Sequence, residues 1–234
     1  MIPPLLKGNR VNPPLLKGGW GDLGAFANMC GRFTIFTDLS VILKSFYVEE
    51  VAGDYRPGNN FSPGQYVAAI IHDDRNRLVC FRWGLIPAWA KDPSIGKKMF
   101  NARAETVAEK PSFRNAFRKR RCLIVADGFY EWQNLGKVKT PFHFSLRSGE
   151  PFGFAGLYET WLTPEKTPLH TCTILTTESN DLIRPVHDRM PVILPKGKEA
   201  LWLDPKTGDA KELMTLLRPY PSDEMKIREN FYDP

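Results

Sequence analysis

Along most of the chain, apolar residues come in short runs broken by Pro, Gly, Asp and Asn. Segments 66–72, 78–86, 122–132, 141–146, 152–161, 170–177 and 190–194 are rich in Val, Ile, Phe, Tyr and Thr and bounded by turn formers, so each predicts a strand. Segments 39–46, 103–109, 112–118, 180–184, 198–203 and 209–217 read as short helices, punctuated by Pro111 and Pro185. Strands outnumber helices, and no strand alternates with a long helix as in βαβ units. The pattern predicts one α+β domain over residues 29–234, with a β-rich, mostly antiparallel, barrel-like core and short surrounding helices. The polar stretch after Pro219 is expected to pack as irregular structure.

Residues 1–28 do not share this pattern. They hold Pro-Pro-Leu-Leu-Lys-Gly twice, starting at Pro3 and at Pro13. The prolines forbid a regular helix, and two copies are too few for a solenoid. Ala25-Phe26-Ala27 imitates a signal cleavage site, but the apolar core of about 7–15 residues that a signal needs is missing. The stretch reads as a disordered leader or as translated upstream sequence, with Met29 as a candidate start.

Composition narrows the picture further. With 234 residues and 42% hydrophobic positions the chain can bury a core without staples. No apolar run reaches the roughly 18 residues of a membrane span. The net charge of +6 is compatible with nucleic acid and equally with an ordinary basic surface. The four cysteines, Cys30, Cys80, Cys122 and Cys172, form no CxxC pair, and there are only four histidines, so no metal site is expected. Cys80, Cys122 and Cys172 sit in apolar runs and read as small core residues. Reduced thiols suggest the cytoplasm.

Five segments combine polar residues in ways a core does not need. In Met29-Cys30-Gly31-Arg32-Phe33, loss of Met29 would make Cys30 an N-terminal aminothiol. Its amine could condense with an aldehyde and its thiol close a five-membered ring. The plain alternative is that Cys30 opens a buried first strand. Asn101-Ala102-Arg103-Ala104-Glu105 offers an amide and a phosphate fork, or simply a helix N-terminus capped by Asn101. Glu131 sits between Tyr130 and Trp132, where burial would raise its pKa and suit proton transfer, or it faces solvent. His187, between Arg184, Asp188 and Arg189, suits acid/base work beside a phosphate. His72, His143 and His170 lack such neighbours and read as structural. Arg82-Trp83-Gly84-Leu85-Ile86-Pro87-Ala88-Trp89 could stack single-stranded bases, although at least one of its tryptophans is expected in the core.

Taken in order, these blocks, with Asn60-Phe61-Ser62-Pro63 and His187-Asp188-Arg189-Met190-Pro191, resemble the SOS response-associated peptidase (SRAP) domain from Met29 to about Leu203. The resemblance implies a barrel-like fold and a protein that shields abasic sites in single-stranded DNA through a covalent thiazolidine crosslink made by Cys30. It implies that Asn101 orients the opened sugar, Glu131 assists the amine chemistry and His187 serves ring opening or reversal. Arg32, Arg103 and Arg189 would hold phosphates, with Trp83 near the bases. Residues ahead of Cys30 would have to be removed, by methionine loss or by self-cleavage. No metal or other cofactor is required, no membrane is involved, and a cytoplasmic, DNA-associated monomer is expected. Two other readings remain at this point: a cysteine peptidase pairing Cys30 with His187, and a non-covalent single-strand binder.

Overall fold

The computed structural model describes residues 31–136, 138–207 and 209–229. Cys30 and the stretch before it, read above as a leader, therefore lie outside the described residues. In chain order the elements are β1 (Arg32–Ile35), α1 (Leu39–Ser45), β2 (Glu50–Val51), β3 (Gly58–Phe61), β4 (Tyr66–His72), β5 (Asn76–Trp83) and a 3-10 segment (Pro93–Lys98). Then come β6 (Asn101–Arg103), a 3-10 turn (Ala104–Thr106), α2 (Arg114–Lys119), β7 (Arg121–Ala126), β8 (Gly128–Leu135) and β9 (Val138–Leu146). The chain continues through β10 (Phe152–Leu162), β11 (Pro168–Glu178), β12 (Arg189–Pro191), α3 (Glu199–Leu203), α4 (Ala210–Thr215), a 3-10 turn (Ser222–Glu224) and β13 (Met225–Glu229).

Five of these strands close on themselves. The ladder runs β11-β10-β7-β4-β5, and β5 returns to β11 through a parallel pairing of Arg82 with Thr171 and Trp83 with Cys172. Closure leaves these strands few open edges. Alternation then sorts the side chains. Val67, Ala69, Phe81, Trp83, Cys122, Ile124, Phe154, Cys172 and Ile174 share one core cluster. The intervening Ile70, Leu78, Leu123, Val125, Leu157 and Leu175 join a second cluster with Ile42, Phe117, Trp202 and Leu213 from the helices. The short helices thus serve to cover the outer face of the barrel. A second, antiparallel sheet, β13-β9-β8-β1-β3, adds Phe33, Phe129 and Phe144 to the first cluster.

The α+β, β-rich fold expected from the pattern is the one observed, and several local expectations are corrected. The single strand read at 122–132 breaks at Asp127 into β7 and β8, which belong to different sheets. The Asp127 carboxylate causes the corner: it accepts from the Thr37 backbone N–H at 2.9 Å, from the Thr37 hydroxyl at 2.6 Å, and from the Phe36 N–H. The helix read at 103–109 is the end of β6 followed by a 3-10 turn, so Asn101 pairs in a sheet and caps no helix. The helix read at 180–184 is a series of turns. The Asn180 side chain accepts from Ile183 N–H at 3.1 Å and donates to the Tyr220 carbonyl at 2.7 Å, competing with helical bonding. The stretch after Pro219 is not irregular throughout: β13 pairs with β9 from Met225 to Glu229.

Candidate active site

Glu131 lies on β8, 3% exposed. Its Oε1 is buried and, among the described residues, has no hydrogen-bond partner. Burial pushes this carboxyl well above the usual range, the negative charge of Asp188 adds to the effect, and the hydrogen bond from the Trp132 backbone opposes it. The shift favours the protonated form. Arg32 of β1 is paired with Tyr130 of β8 in antiparallel register. Gly31, the first described residue, is next in that register, beside Glu131.

His187 arrives from a turn between β11 and β12. Gln133, two positions beyond Glu131 on β8, donates its side-chain amide to the Pro185 carbonyl at 2.9 Å, tying this turn to the Glu131 strand. His187 Nδ1 accepts from the Arg189 N–H at 3.0 Å, with Asp188 Oδ1 at 3.2 Å from the same nitrogen. The Arg189 carbonyl is 3.3 Å from the same nitrogen, so the tautomer of the ring sets which of these groups Nδ1 bonds.

Asn101 enters from the other side of β11. β6 runs parallel to β11, pairing Asn101 with Ile174 and Arg103 with Thr176. β12 flanks the opposite edge, pairing Pro191 with Thr176 and Arg189 with Glu178. The last turns of β11 are thus a common scaffold for Asn101 and Arg103 on one side and His187 on the other. Asn101 is 8% exposed, whereas Arg103 is exposed. Asn101, Glu131 and His187, picked out separately in the sequence, are linked by these pairings.

The remaining candidates fare differently. Trp83 is 1% exposed, its ring packs against Phe33, and its Nε1 donates to the Phe100 carbonyl at 2.7 Å. It supports the backbone leading to Asn101 and has no face for a base, which corrects the stacking expectation. Trp89, in the same segment, is 62% exposed. It lies past the end of β5, after Pro87, and that loop position was the signal available in the sequence. Arg32 is half-buried on β1. Arg189 makes a bidentate pair with Glu105, at 2.6 and 3.0 Å. Cys122 and Cys172 are fully buried and Cys80 is half-buried; burial pushes all three thiols upward, away from the reactive thiolate. Among the described residues no group of three or more His, Cys, Asp or Glu could hold a metal ion, and no helix is long and apolar enough to cross a membrane.

Comparison with known proteins bears on this arrangement. The model of the family described as SOS response associated peptidase (SRAP) matches residues 29–229. The chain belongs to the SRAP family. Among its relatives is the abasic site processing protein YoqW of Bacillus subtilis (strain 168), 52% identical over 202 residues, 85% of this chain and 90% of that one. The abasic site processing protein HMCES of Gallus gallus is 34% identical over 201 residues, 71% of this chain and 60% of that one. A crystal structure of a protein from Bacteroides thetaiotaomicron superposes with a TM-score of 0.77 at 28% identity, covering 86% of this chain and 91% of the other. The SRAP match begins at Met29, one residue before Cys30, and ends at Glu229, the last residue of β13. The pairing of β13 with β9 is therefore within the family's span.

His143, read from the sequence as structural, is held inside the fold. It is buried on β9, its Nε2 lies 3.2 Å from the Thr34 hydroxyl, and burial together with Arg228 moves its pKa down to about 4. Gly128 permits this: a Cβ there would lie 2.4 Å from the imidazole. His72 and His170 are likewise bonded within the fold, to Asn76 and Thr160.

Proposed function

We propose that this SRAP protein processes abasic sites in single-stranded DNA by joining to them covalently through Cys30. An abasic sugar in its ring-opened form is an aldehyde. The α-amine of an N-terminal Cys30 attacks the aldehyde carbon, and the carbinolamine loses water to give an imine. The Cys30 thiol then adds to the imine carbon and its proton passes to the nitrogen, closing a thiazolidine. The net change is the loss of one water. No oxidant, metal or cofactor enters the balance.

The observation that carries this reading is Glu131. It is a buried carboxyl that burial pushes toward its protonated form, with one oxygen that has no hydrogen-bond partner among the described residues, on the strand that pairs with β1. A neutral carboxylic acid at that place delivers the proton that turns the departing hydroxyl into water, and its carboxylate takes a proton back. Asn101 orients the open sugar. His187 assists ring opening and reversal. Arg32 and Arg103 hold phosphates and exposed Trp89 stacks on a base, a mode that reads no sequence. The same groups could cleave ahead of Cys30, exposing its amine.

The test is a denaturing gel of the protein with an abasic oligonucleotide, without borohydride. A stable adduct is expected, absent in Cys30→Ala while salt-sensitive DNA binding persists. A stable adduct from Cys30→Ala, starting at Met29, contradicts the assignment. Binding without any adduct favours a non-covalent binder, and cleavage of unrelated peptides in trans favours a peptidase.

A further inference from the structure

The bonds of Arg189 point across the protein. Its Nη1 donates to Glu105 Oε1 at 2.6 Å, its Nη2 to Glu105 Oε2 at 3.0 Å, and the same Nη2 to the Thr176 carbonyl at 2.7 Å. Only 14% of the Arg189 side chain is exposed. Glu105 sits in the 3-10 turn that directly follows β6, the strand of Asn101 and Arg103. Arg189 opens β12, two residues after His187 and with its backbone N–H on His187 Nδ1. Between them runs β11, so the side-chain pair straps across the end of that strand.

The strap adds a direct side-chain tie to two ends that the backbone joins only through the β11 ladders. The His187 turn is held from β8 by Gln133 and from the end of β11 by Ser179, whose N–H donates to the Asp188 carbonyl at 3.0 Å. Neither bond reaches the β6 side. A bidentate Arg–carboxylate pair fixes both distance and plane, whereas a lysine or a single bond fixes only distance. A DNA phosphate at Arg189 would have to displace a carboxylate that the guanidinium itself keeps ionised. Arg103, on the same segment, is exposed and makes no such carboxylate pair among the described residues.

We propose that Glu105 and Arg189 are positioning residues, a cross-brace that holds His187 in register with Asn101, and that Arg189 is not one of the phosphate contacts. The proposal rests on the covalent reading above for its kinetic consequence and on the geometry alone for its structural one.

Two variants test it. Glu105→Gln keeps shape and removes the ionic pair; Arg189→Lys keeps charge and removes the bidentate fork. For both, the crosslinking rate at saturating abasic DNA is expected to fall tenfold or more, roughly the loss of one well-placed catalytic group's alignment. Affinity for undamaged single strands and its salt dependence should stay at parent values. The nitrogen NMR shift of His187 Nδ1, measured without DNA, should move in both variants as its bond to the Arg189 N–H is disturbed. Tighter DNA binding by Glu105→Gln, with a salt slope steeper by about 0.7, would instead make Arg189 a phosphate contact held in check. A parent-like rate in Arg189→Lys, or an unmoved His187 shift in both variants, overturns the brace. If the parent itself forms no adduct, the covalent reading fails and the NMR shift alone decides the brace.

Discussion

Two ionisable side chains in this molecule are equally buried and differently treated. Arg121, at the start of β7, and Glu131, on β8, are each 3% exposed. Arg121 donates to five carbonyls: Trp202 at 2.6 Å, Phe117 at 2.8 Å, Arg118 at 2.7 Å, Thr207 at 3.3 Å, and Asp204. Several of these are the open C-terminal carbonyls of α2 and α3, which the guanidinium closes off. Its plane also lies 5.8 Å from the Trp202 ring centre. Glu131 has an oxygen with no partner among the described residues. A buried charge whose bonds are all met holds the structure together. One left with an open bond is a candidate for meeting a ligand or a reacting group, and of the buried atoms without a partner among the described residues Glu131 Oε1 is the carboxylate oxygen.

The contrast is sharpened most by Glu131→Gln. Crosslinking is expected to slow by about 10²–10⁴-fold, the range for general acid/base help. Stability should hold or rise at pH 7. The sign follows from the raised pKa: an unfolded glutamate gives up its proton near pH 4.5, the folded one retains it, and stability falls as pH climbs between the two values. Glutamine removes that cost. Parallel stopped-time crosslinking and thermal melts check both halves. A variant that crosslinks like the parent across pH 6–8 removes Glu131 from proton transfer.

Arg121→Met should do the reverse. Leaving the helix carbonyls unmet is expected to cost about 3–5 kcal/mol in denaturant unfolding, with the folded fraction crosslinking at the parent rate. Full stability with lost activity would break the comparison.

A third buried group gives a pH signature. The unfolded chain protonates His143 near pH 6.5, the folded protein only at about 4. Stability from this residue is therefore present above pH 6.5 and is lost as pH falls toward 4, by about 3 kcal/mol in all. Unfolding measured at pH 7 and pH 4.5 should show a drop that His143→Phe largely abolishes. An undiminished drop in that variant assigns the effect to other groups.

The smallest effect is expected at the surface. Arg103→Ala should weaken binding to all single strands alike and flatten log K against log salt by roughly 0.7. Loss that depends on base sequence contradicts a phosphate contact.

What the sequence revealed divides along physical lines. β4 and α1 were legible because their patterns are local: an apolar β-branched run between turn formers, and a short amphipathic stretch before Tyr47. The candidate site residues Asn101, Glu131 and His187 were legible because their residue types are poorly suited to a core. The break at Asp127 was hidden because it depends on Phe36 and Thr37, about 90 positions away. Trp83 and Trp89 share one local composition, and only tertiary packing separates the buried ring from the exposed one. The partner of Arg189 was equally out of reach, since Glu105 lies 84 positions earlier and the strands that join them are not sequence neighbours.

The account stands most directly on the nitrogen of Cys30. Intact mass of the adduct with an abasic oligonucleotide, measured beside the mass of the uncrosslinked protein, decides it. The account predicts an adduct equal to a chain beginning at Cys30 plus the oligonucleotide minus one water, and none from chains that keep the preceding residues. An adduct that retains residues 1–28 and forms in undiminished yield would contradict it, because an amide nitrogen cannot form the imine.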